Sequence, residues 1–471
     1  MLSVPAELAS ACAHVTPAGP ADAVAGEPAS YVAAPASVGE AAAVLRAAAG
    51  LGLTVVPRGT GGRLDWGPAP ASCDLIIDTG RLDRIVEHSA GDLVVSAQAG
   101  VRLDDLAKVL APAGQRLAVN PPATAPGNGG GTIGGLIAAG AAGALRYRYG
   151  SPRDLLIGIT VIRADGTIAK AGGKVVKNVA GYDIGKLFAG SFGTLGLIAE
   201  ATFRLHPLPE ATGWIALNCP DPAAAAAAVQ AIAESALAPA AIELAWPRAT
   251  APLTVSALLE GDEHSVAARA ERMRSLLGER ATTGQSPEHT KRSSDRPGHR
   301  TLADATDANQ PEELPGRREL ADGGAAAGAF RVLQPSSGGR ERPATLLRVA
   351  FWGAKLADVL SSIREAAGQH GLDPGISGSA GAGVLDVAVA DDADPSAVTG
   401  FVDDLRVGLK ALTAGSLLPA TASAVVVHAP SAVRAAVDMW GPVQSLELMR
   451  AVKNQFDPQR RMAPGRLPGG I

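Results

Sequence analysis

Residues 128–140 read NGGGTIGGLIAAG, and within them Gly129, Gly131 and Gly134 spell the GxGxxG spacing of a dinucleotide-binding turn. That spacing serves a nicotinamide cofactor only in one setting: a strand must run into the first glycine and a helix must open at the last. Here the preceding residues are NPPATAPGN, whose prolines a central strand does not tolerate. Asp154 lies about 20 residues beyond Gly134, where a ribose-binding acid would be sought. It sits in GSPRD, however, beside a proline and not at a strand end. The nicotinamide fold fails on context, and the glycines need another account.

A second glycine turn, Pro57-Arg58-Gly59-Thr60-Gly61-Gly62, follows the apolar run LTVV. Neither turn contains GKS or GKT, which excludes a P-loop ATPase. Two such turns together offer rows of backbone N–H groups that bind a pyrophosphate without lysine, because no Cβ holds the backbone away from the phosphate oxygens. Singly, each also reads as an ordinary tight turn in a chain with 56 glycines.

The rest of the chain limits the class of protein. Its 471 residues suffice for two domains. Aromatics make up 3%, so the core must be built from Ala, Val, Leu and Ile. A net charge of -4 offers no basic face for nucleic acid. Cys12, Cys73 and Cys219 are far apart, and an iron–sulfur cluster needs about four thiolates. The first residues, MLSVPAELASACAHVTPAG, lack a basic leader followed by an apolar run, and no stretch reaches about 18 uninterrupted apolar residues. A cytoplasmic protein is expected, peripheral to the inner membrane only through partners.

Ser37 with Glu40 three residues on predicts a capped helix over 37–50, and LIGITVIRADGTIAKA predicts a hairpin around Ala-Asp-Gly. From about residue 210 strands and helices alternate, as in an α+β domain. Residues 281–329 contain no Val, Ile, Met, Phe, Tyr or Trp and are expected to form a flexible insertion.

The order of segments is more telling than either turn. PRGTGG, then PPATAPGNGGGTIGGLIAAGAAG, RYRYGSPRDLLIGITVIRADGTI, KNVAGYD followed by GSFGTLG, and finally VKNQFDPQRRMAPGR form a series. It resembles the FAD-binding domain of the vanillyl-alcohol oxidase/p-cresol methylhydroxylase (PCMH-type) superfamily. More narrowly, it resembles the FAD-binding E-type subunit of the three-component bacterial glycolate oxidase. The resemblance implies an α+β fold. A flexible N-terminus (1–27) would precede a PCMH-type FAD-binding domain of two α/β subdomains (28–207). An α+β cap domain (208–445) would carry the insertion 281–329, and a C-terminal segment (446–471) would return to the FAD domain.

Carried over residue by residue, the resemblance implies that Pro57, Arg58, Gly59, Thr60, Gly61 and Gly62 wrap the pyrophosphate and ribityl region of FAD. Thr132, Ile133, Gly134 and Gly135 would supply opposing backbone amides and the Thr hydroxyl. Ser151, Arg153 and Asp154 would lie near the flavin and its phosphates, and Gly193, Gly196 and Ile198 at the adenine–ribose end. Relatives that attach FAD covalently use a His or a Cys, in one group a His where Arg63 stands, and no cysteine lies near either turn, so noncovalent FAD is expected. The implied activity is oxidation of glycolate, or another small 2-hydroxy acid, to the oxo acid. The implied partners are a catalytic flavoprotein subunit and an iron–sulfur subunit. A self-sufficient oxidase of another hydroxy acid, sugar or lactone, and a non-catalytic scaffold, stay open beside it.

No catalytic residue is assignable from the sequence. Catalytic relatives carry an HxGDGNxH-type segment, whereas HGLDPGISGSAGAG keeps only His370. Gly140 stands where those relatives have Asn near the flavin. Ala463 replaces the Asn of a DPxxxxNPGR ending, which weakens the case for a C-terminal contact with the cofactor. Arg146, Tyr147, Arg148 and Tyr149 form a basic-aromatic knot that would face the ring, a redox partner or solvent. His88, His206 and His428, next to strands, read as structural. Lys174 and Lys177 read as a packed loop edge or as flavin-side groups.

Overall fold

Ala41, Ala42, Val44, Leu45 and Ala48 form the buried face of the helix Val38–Gly50, which Ser37 caps by accepting from the Glu40 N–H. In the computed structural model, which describes residues 4–122, 130–173, 183–278, 281–284, 345–412 and 422–471, that face packs on Val55, Leu75 and Ile77. These belong to a four-stranded sheet ordered Val15–Pro17, Tyr31–Ala33, Leu75–Asp78, Val55–Arg58. The last three strands run parallel. Leu75, Ile76 and Ile77 are buried in succession, as expected for a parallel strand covered on both faces.

A second sheet is antiparallel, in the order Ile168–Gly172, Leu156–Ile162, Leu197–Arg204, Val94–Gln98, Ile85–Ser89. Its first two strands are the hairpin read from the Ala-Asp-Gly turn. The third sheet has eight antiparallel strands: Thr282–Gly284, Ala211–Cys219, Leu253–Gly261, Ala241–Trp246, Gly375–Ser379, Val384–Val389, Thr345–Phe351 and Ala422–His428. The helices Pro222–Glu234, Glu263–Leu277, Leu356–Gln369 and Pro395–Ala411 bury their apolar faces against it. The molecule is therefore α+β.

One property of this third sheet positions everything that follows. Ile242 and Leu244, Val255 and Ala257, Leu347 and Val349, and Leu385 and Val387 all point into the helix-side core. Side chains alternate along a strand, so Glu243, Ser256, Arg348 and Asp386 stand on the opposite face. That face meets the loop 120–122, residues 142–144 and Arg146 across a cavity.

Two boundaries differ from the sequence reading. Residues 1–27 were expected to be flexible, yet Val4–Ala11 is a helix and Val15–Pro17 pairs with Tyr31–Ala33. The cause is burial: Leu8 and Cys12 complete the core under the helix Val38–Gly50. The insertion begins with a paired strand, Thr282–Gly284 against Ala211–Cys219, and its remainder lies outside the described residues.

The C-terminal helix Leu446–Phe456 ends in a fully buried ion pair, Lys453 with Asp457. The ammonium donates to Asp457 Oδ2 at 2.7 Å and to the carbonyls of Thr194 and Met462 at 2.7 and 2.9 Å. Asp457 also accepts from the Arg461 and Met462 N–H groups. Met462 bridges to Val55, and Ala463 N–H donates to the Val55 carbonyl. Removing one member of a satisfied buried pair leaves a charge with no solvent. Asp457→Ala should therefore lower unfolding stability by about 3–5 kcal/mol, read from urea denaturation.

Candidate functional site

Two cavities adjoin one another. The first is a groove whose walls are the turn after the strand Val55–Arg58, the start of the helix Ile133–Ala139, and Phe192-Gly193. The glycines here are compulsory at the contact between turns: a Cβ on Gly59 would come within 2.2 Å of Thr132 Oγ1. Gly61, with φ +75, takes a backbone shape that side chains disfavour. Pro57, Arg58, Gly59, Thr60, Gly61, Gly62, Thr132 and Gly135 line this groove together with Gly193, which the sequence reading set apart with Gly196 and Ile198.

Other expected contacts differ. The Ile133 N–H donates to the Val101 carbonyl, the Gly134 N–H to the Ala99 carbonyl and the Gly135 N–H to Thr132 Oγ1. These amides are spent on holding the turn, and Ile133 itself is fully buried. Ser151 and Asp154 form a capping box for the short helix Pro152–Leu155, with Ser151 N–H and Oγ both donating to Asp154; together with Arg153 they lie outside the groove. Ile198 belongs to the second sheet and Gly196 immediately precedes its strand; a Cβ on Gly196 would meet the Ile162 carbonyl at 2.7 Å, and Ile198 is buried core.

The charges in the groove are distinctive. Arg58 is held between Asp22 and Asp78. Arg63 and Arg466 also line it, without an ion pair among the described residues and each with a buried Nε that has no hydrogen-bond partner. Burial pushes both guanidinium groups down to about 10. A buried cation without a counter-charge is costly, so the groove is matched to an anionic ligand. Sequence reasoning named Arg63 only as the residue replacing an attachment histidine, and missed Arg466.

The second cavity lies between the loop 120–122 with the helix Arg146–Tyr149 on one side and the eight-stranded sheet on the other. Arg146 lines it, and its guanidinium makes no hydrogen bond or ion pair among the described residues. Opposite stand Glu243, Ser379, Arg348 and Asp386. Arg348 is taken up by Asp386 through two side-chain contacts of 2.8 and 3.2 Å. Glu243 Oε1 and Ser379 Oγ are both enclosed and both lack a partner. Burial pushes the Glu243 carboxyl up to about 8, with the Ser379 hydroxyl opposing the shift, Asp386 adding to it and Arg146 opposing it.

Trp66 lines neither cavity but stands between an arginine of each: the Arg63 guanidinium lies 5.4 Å from its ring centre and that of Arg348 5.5 Å. The basic-aromatic knot thus divides its roles. Arg146 faces the cavity, Tyr149 donates to Glu260 within an Arg116–Glu260 network, and Tyr147 packs on the eight-stranded sheet beside Gly381. Ser377, Gly378 and Ser379, from the segment that lacks the family's histidines, line the cavity, whereas His370 pairs with Asp404. His88 meets Gln115, His206 stacks on Tyr149, and His428 approaches Asp65. The three cysteines are buried, and burial pushes Cys73 up to about 12. Gly129, Lys174, Lys177, His289, His299 and most of KNVAGYD lie outside the described residues. Among the described residues no helix is long and apolar enough to cross a membrane.

Comparison with known proteins supplies a context for these cavities. The FAD binding domain family matches residues 29–172, and the family of FAD linked oxidases, C-terminal domain, matches residues 208–415 and 434–467. The glycolate oxidase subunit GlcD of Bacillus subtilis is 35% identical over 179 residues, which is 38% of this chain and 37% of that one. Glycolate oxidase subunit GlcE of Escherichia coli is 38% identical over 128 residues, 27% of this chain and 36% of that one. The matched stretches thus span little more than a third of these relatives. In fold, p-cresol methylhydroxylase with substrate bound superposes with a TM-score of 0.67 at 14% identity, covering 98% of this chain and 96% of that one.

The raised Glu243 carboxyl has a consequence for stability. Its proton is held more tightly in the folded chain than in the unfolded one, so the stability this contributes is whole below about pH 4.5 and is lost as pH rises toward 8. Wild-type stability should fall relative to Glu243→Gln across that window. Urea midpoints of both proteins on either side of it provide the check.

Proposed function

The chain belongs to the FAD-linked oxidases, with FAD as cofactor, and on that premise we propose that it oxidises small 2-hydroxy acids, glycolate among them, as the E-type FAD-binding subunit of a glycolate oxidase complex. The observation that carries this is the Arg146 guanidinium, without an ion pair among the described residues, in a cavity whose Arg348 shares the Trp66 ring with Arg63 of the cofactor groove. A guanidinium presents a planar fork that matches a carboxylate. A 2-hydroxy acid held there by its carboxylate brings its carbinol carbon to the border between the cavities.

FAD, when bound, supplies the oxidant that takes the hydrogen and two electrons from that carbon. The protein's own part is to hold and orient. Arg63 and Arg466 neutralise the cofactor's phosphates, and the turn 57–62 lets the backbone approach it. With Arg63 in place of an attaching histidine, the cofactor is held noncovalently. Arg348, already paired with Asp386, gives the cavity wall a fixed polarity. Similarity to GlcD and GlcE supports the complex, and so do three buried cysteines, too few for an iron–sulfur cluster of about four thiolates. Electrons leaving this flavin would pass to a cysteine-rich partner subunit.

The test is an anaerobic absorption spectrum of the FAD-reconstituted chain before and after glycolate. Bleaching of the bound flavin is expected, and Arg146→Met should raise the glycolate concentration needed by about 30-fold, the worth of a charge-assisted hydrogen bond. Arg466→Met should weaken FAD binding by about tenfold or more, measured by flavin fluorescence. A bound flavin that stays oxidised would transfer the chemistry to the partner flavoprotein. No bound flavin at all would leave the scaffold reading.

A further inference from the structure

The cavity holds one more group that the binding of a carboxylate does not use. Glu243 stands across the cavity from Arg146, on the central strand Ala241–Trp246 of the eight-stranded sheet. Its strand neighbours Ile242 and Leu244 are anchored in the helix-side core, so the carboxyl has no freedom to leave the cavity face. Oε1 and Ser379 Oγ, on adjacent strands, are both enclosed, and the Ser379 hydroxyl is near enough to hold down the Glu243 pKa, yet neither atom completes a well-formed hydrogen bond with a partner. Both atoms are placed for a ligand.

The charged and polar groups around Glu243 come from every element packed on it. Arg146 approaches from the short helix Arg146–Tyr149. Arg348 and Asp386 come from the strands Thr345–Phe351 and Val384–Val389, and Ser256 and Ser379 from the strands on either side. Arg348 and Asp386 satisfy one another, and among the described residues no histidine lines the cavity.

We propose that Glu243 is the group that takes the hydroxyl proton of the 2-hydroxy acid held by Arg146. The proposal rests on reading the cavity as a hydroxy-acid site. Oxidation of an alcohol breaks two bonds to hydrogen. The O–H bond breaks as its proton passes to the Glu243 carboxylate, and the electron pair left on oxygen forms the C=O bond. The carbon's hydrogen leaves with its two electrons to the oxidant, FAD, so charge and electrons balance. A base acts best when its own pKa lies near the working pH, and burial brings the Glu243 carboxyl to about 8. Below that value the protonated carboxyl donates a hydrogen bond to the substrate oxygen but accepts no proton. Anion binding at Arg146 removes the positive charge that opposes protonation of Glu243, so substrate binding itself should draw a proton in.

Two measurements on the FAD-loaded full chain test this. In calorimetric titration with glycolate, with the bound flavin already reduced so that no turnover occurs and in buffers of different ionisation enthalpy, wild type should take up a fraction of a proton near pH 8, and Glu243→Gln none. In stopped flow at low glycolate, the second-order rate of bleaching by wild type should rise about tenfold per pH unit up to about pH 8 and then level. Glu243→Gln should bind glycolate with little change in affinity, but bleach about 100-fold or more slowly with no rising limb. Glu243→Asp should keep the limb at a reduced rate. Unchanged proton uptake together with a rate within threefold of wild type in Glu243→Gln overturns the proposal. If Arg146→Met binds glycolate as wild type does, or wild type does not bind it, the reading of the cavity falls and this proposal with it. If only Arg146→Met loses binding and Glu243→Gln keeps its rate, Glu243 alone is misassigned.

Discussion

Lys453 and Asp457 meet with neither side chain exposed, and the placement of the whole C-terminal segment depends on them. Each charge is satisfied on every side, the ammonium by one carboxylate and two carbonyls, the carboxylate by one ammonium and two backbone N–H groups. That completeness separates a tolerated buried pair from a ruinous one. The carbonyl of Thr194 belongs to the turn beside Gly193, and Met462 lies against Val55, so a single ammonium ties the chain's end to both sides of the cofactor groove. Phe456 adds an edge-to-face contact with Phe188. Arg466, nine residues beyond Asp457, is thereby delivered to the groove wall.

The arginines sort by whether a carboxylate answers them. Arg58 with Asp22 and Asp78, Arg116 with Glu260 and Arg348 with Asp386 are internally neutralised and join elements that must not move apart. Among the described residues Arg63, Arg466 and Arg146 have no ion-pair partner and line the two cavities, whereas Arg406, Arg434 and Arg461, half-buried or buried and also without an ion pair, donate to backbone carbonyls away from them. Burial lowers the pKa of each of the first three, which expresses the cost of keeping a cation from water. The fold carries that cost in the places where anionic ligands would repay it, namely a pyrophosphate in one cavity and a carboxylate in the other. Trp66, with an arginine from each cavity against its ring, separates the two charges that would otherwise repel directly.

Local signals were legible wherever they were self-contained. Ser37 with Glu40, the Ala-Asp-Gly hairpin and the PRGTGG turn each form as their residues dictate. The amides of Ile133, Gly134 and Gly135 were misjudged because their acceptors, Val101, Ala99 and Thr132 Oγ1, are supplied mainly by a distant segment. The first 27 residues carry few strong signals of their own, and order comes from Leu8 filling a core assembled elsewhere. Glu243, Arg348 and Asp386 did leave a trace. AIELAW, LLRVAF and VLDVAV are each an alternating apolar strand with one charge in a position of the opposite face. Only the sheet's pairing shows that the three charges share one face and that this face is enclosed.

The departures from the family pattern take on a physical meaning in the same terms. Ala463, standing where the resembled family has Asn, adopts φ +41, a left-handed conformation that Asn tolerates better than Ala. The strain persists because the surroundings over-determine it: the Ala463 N–H is bound to Val55, the preceding residue is bridged to the same strand, and Lys453 holds the Met462 carbonyl. Loss of the Asn side chain therefore removes a polar group without releasing the backbone. The cofactor-facing role of the segment shifts three residues on, to a guanidinium that reaches the Trp66 carbonyl and lies 5.7 Å from the ring centre of Phe192. A chain end held this firmly supplies its charge through geometry, and the residue at position 463 needs only to keep that geometry closed.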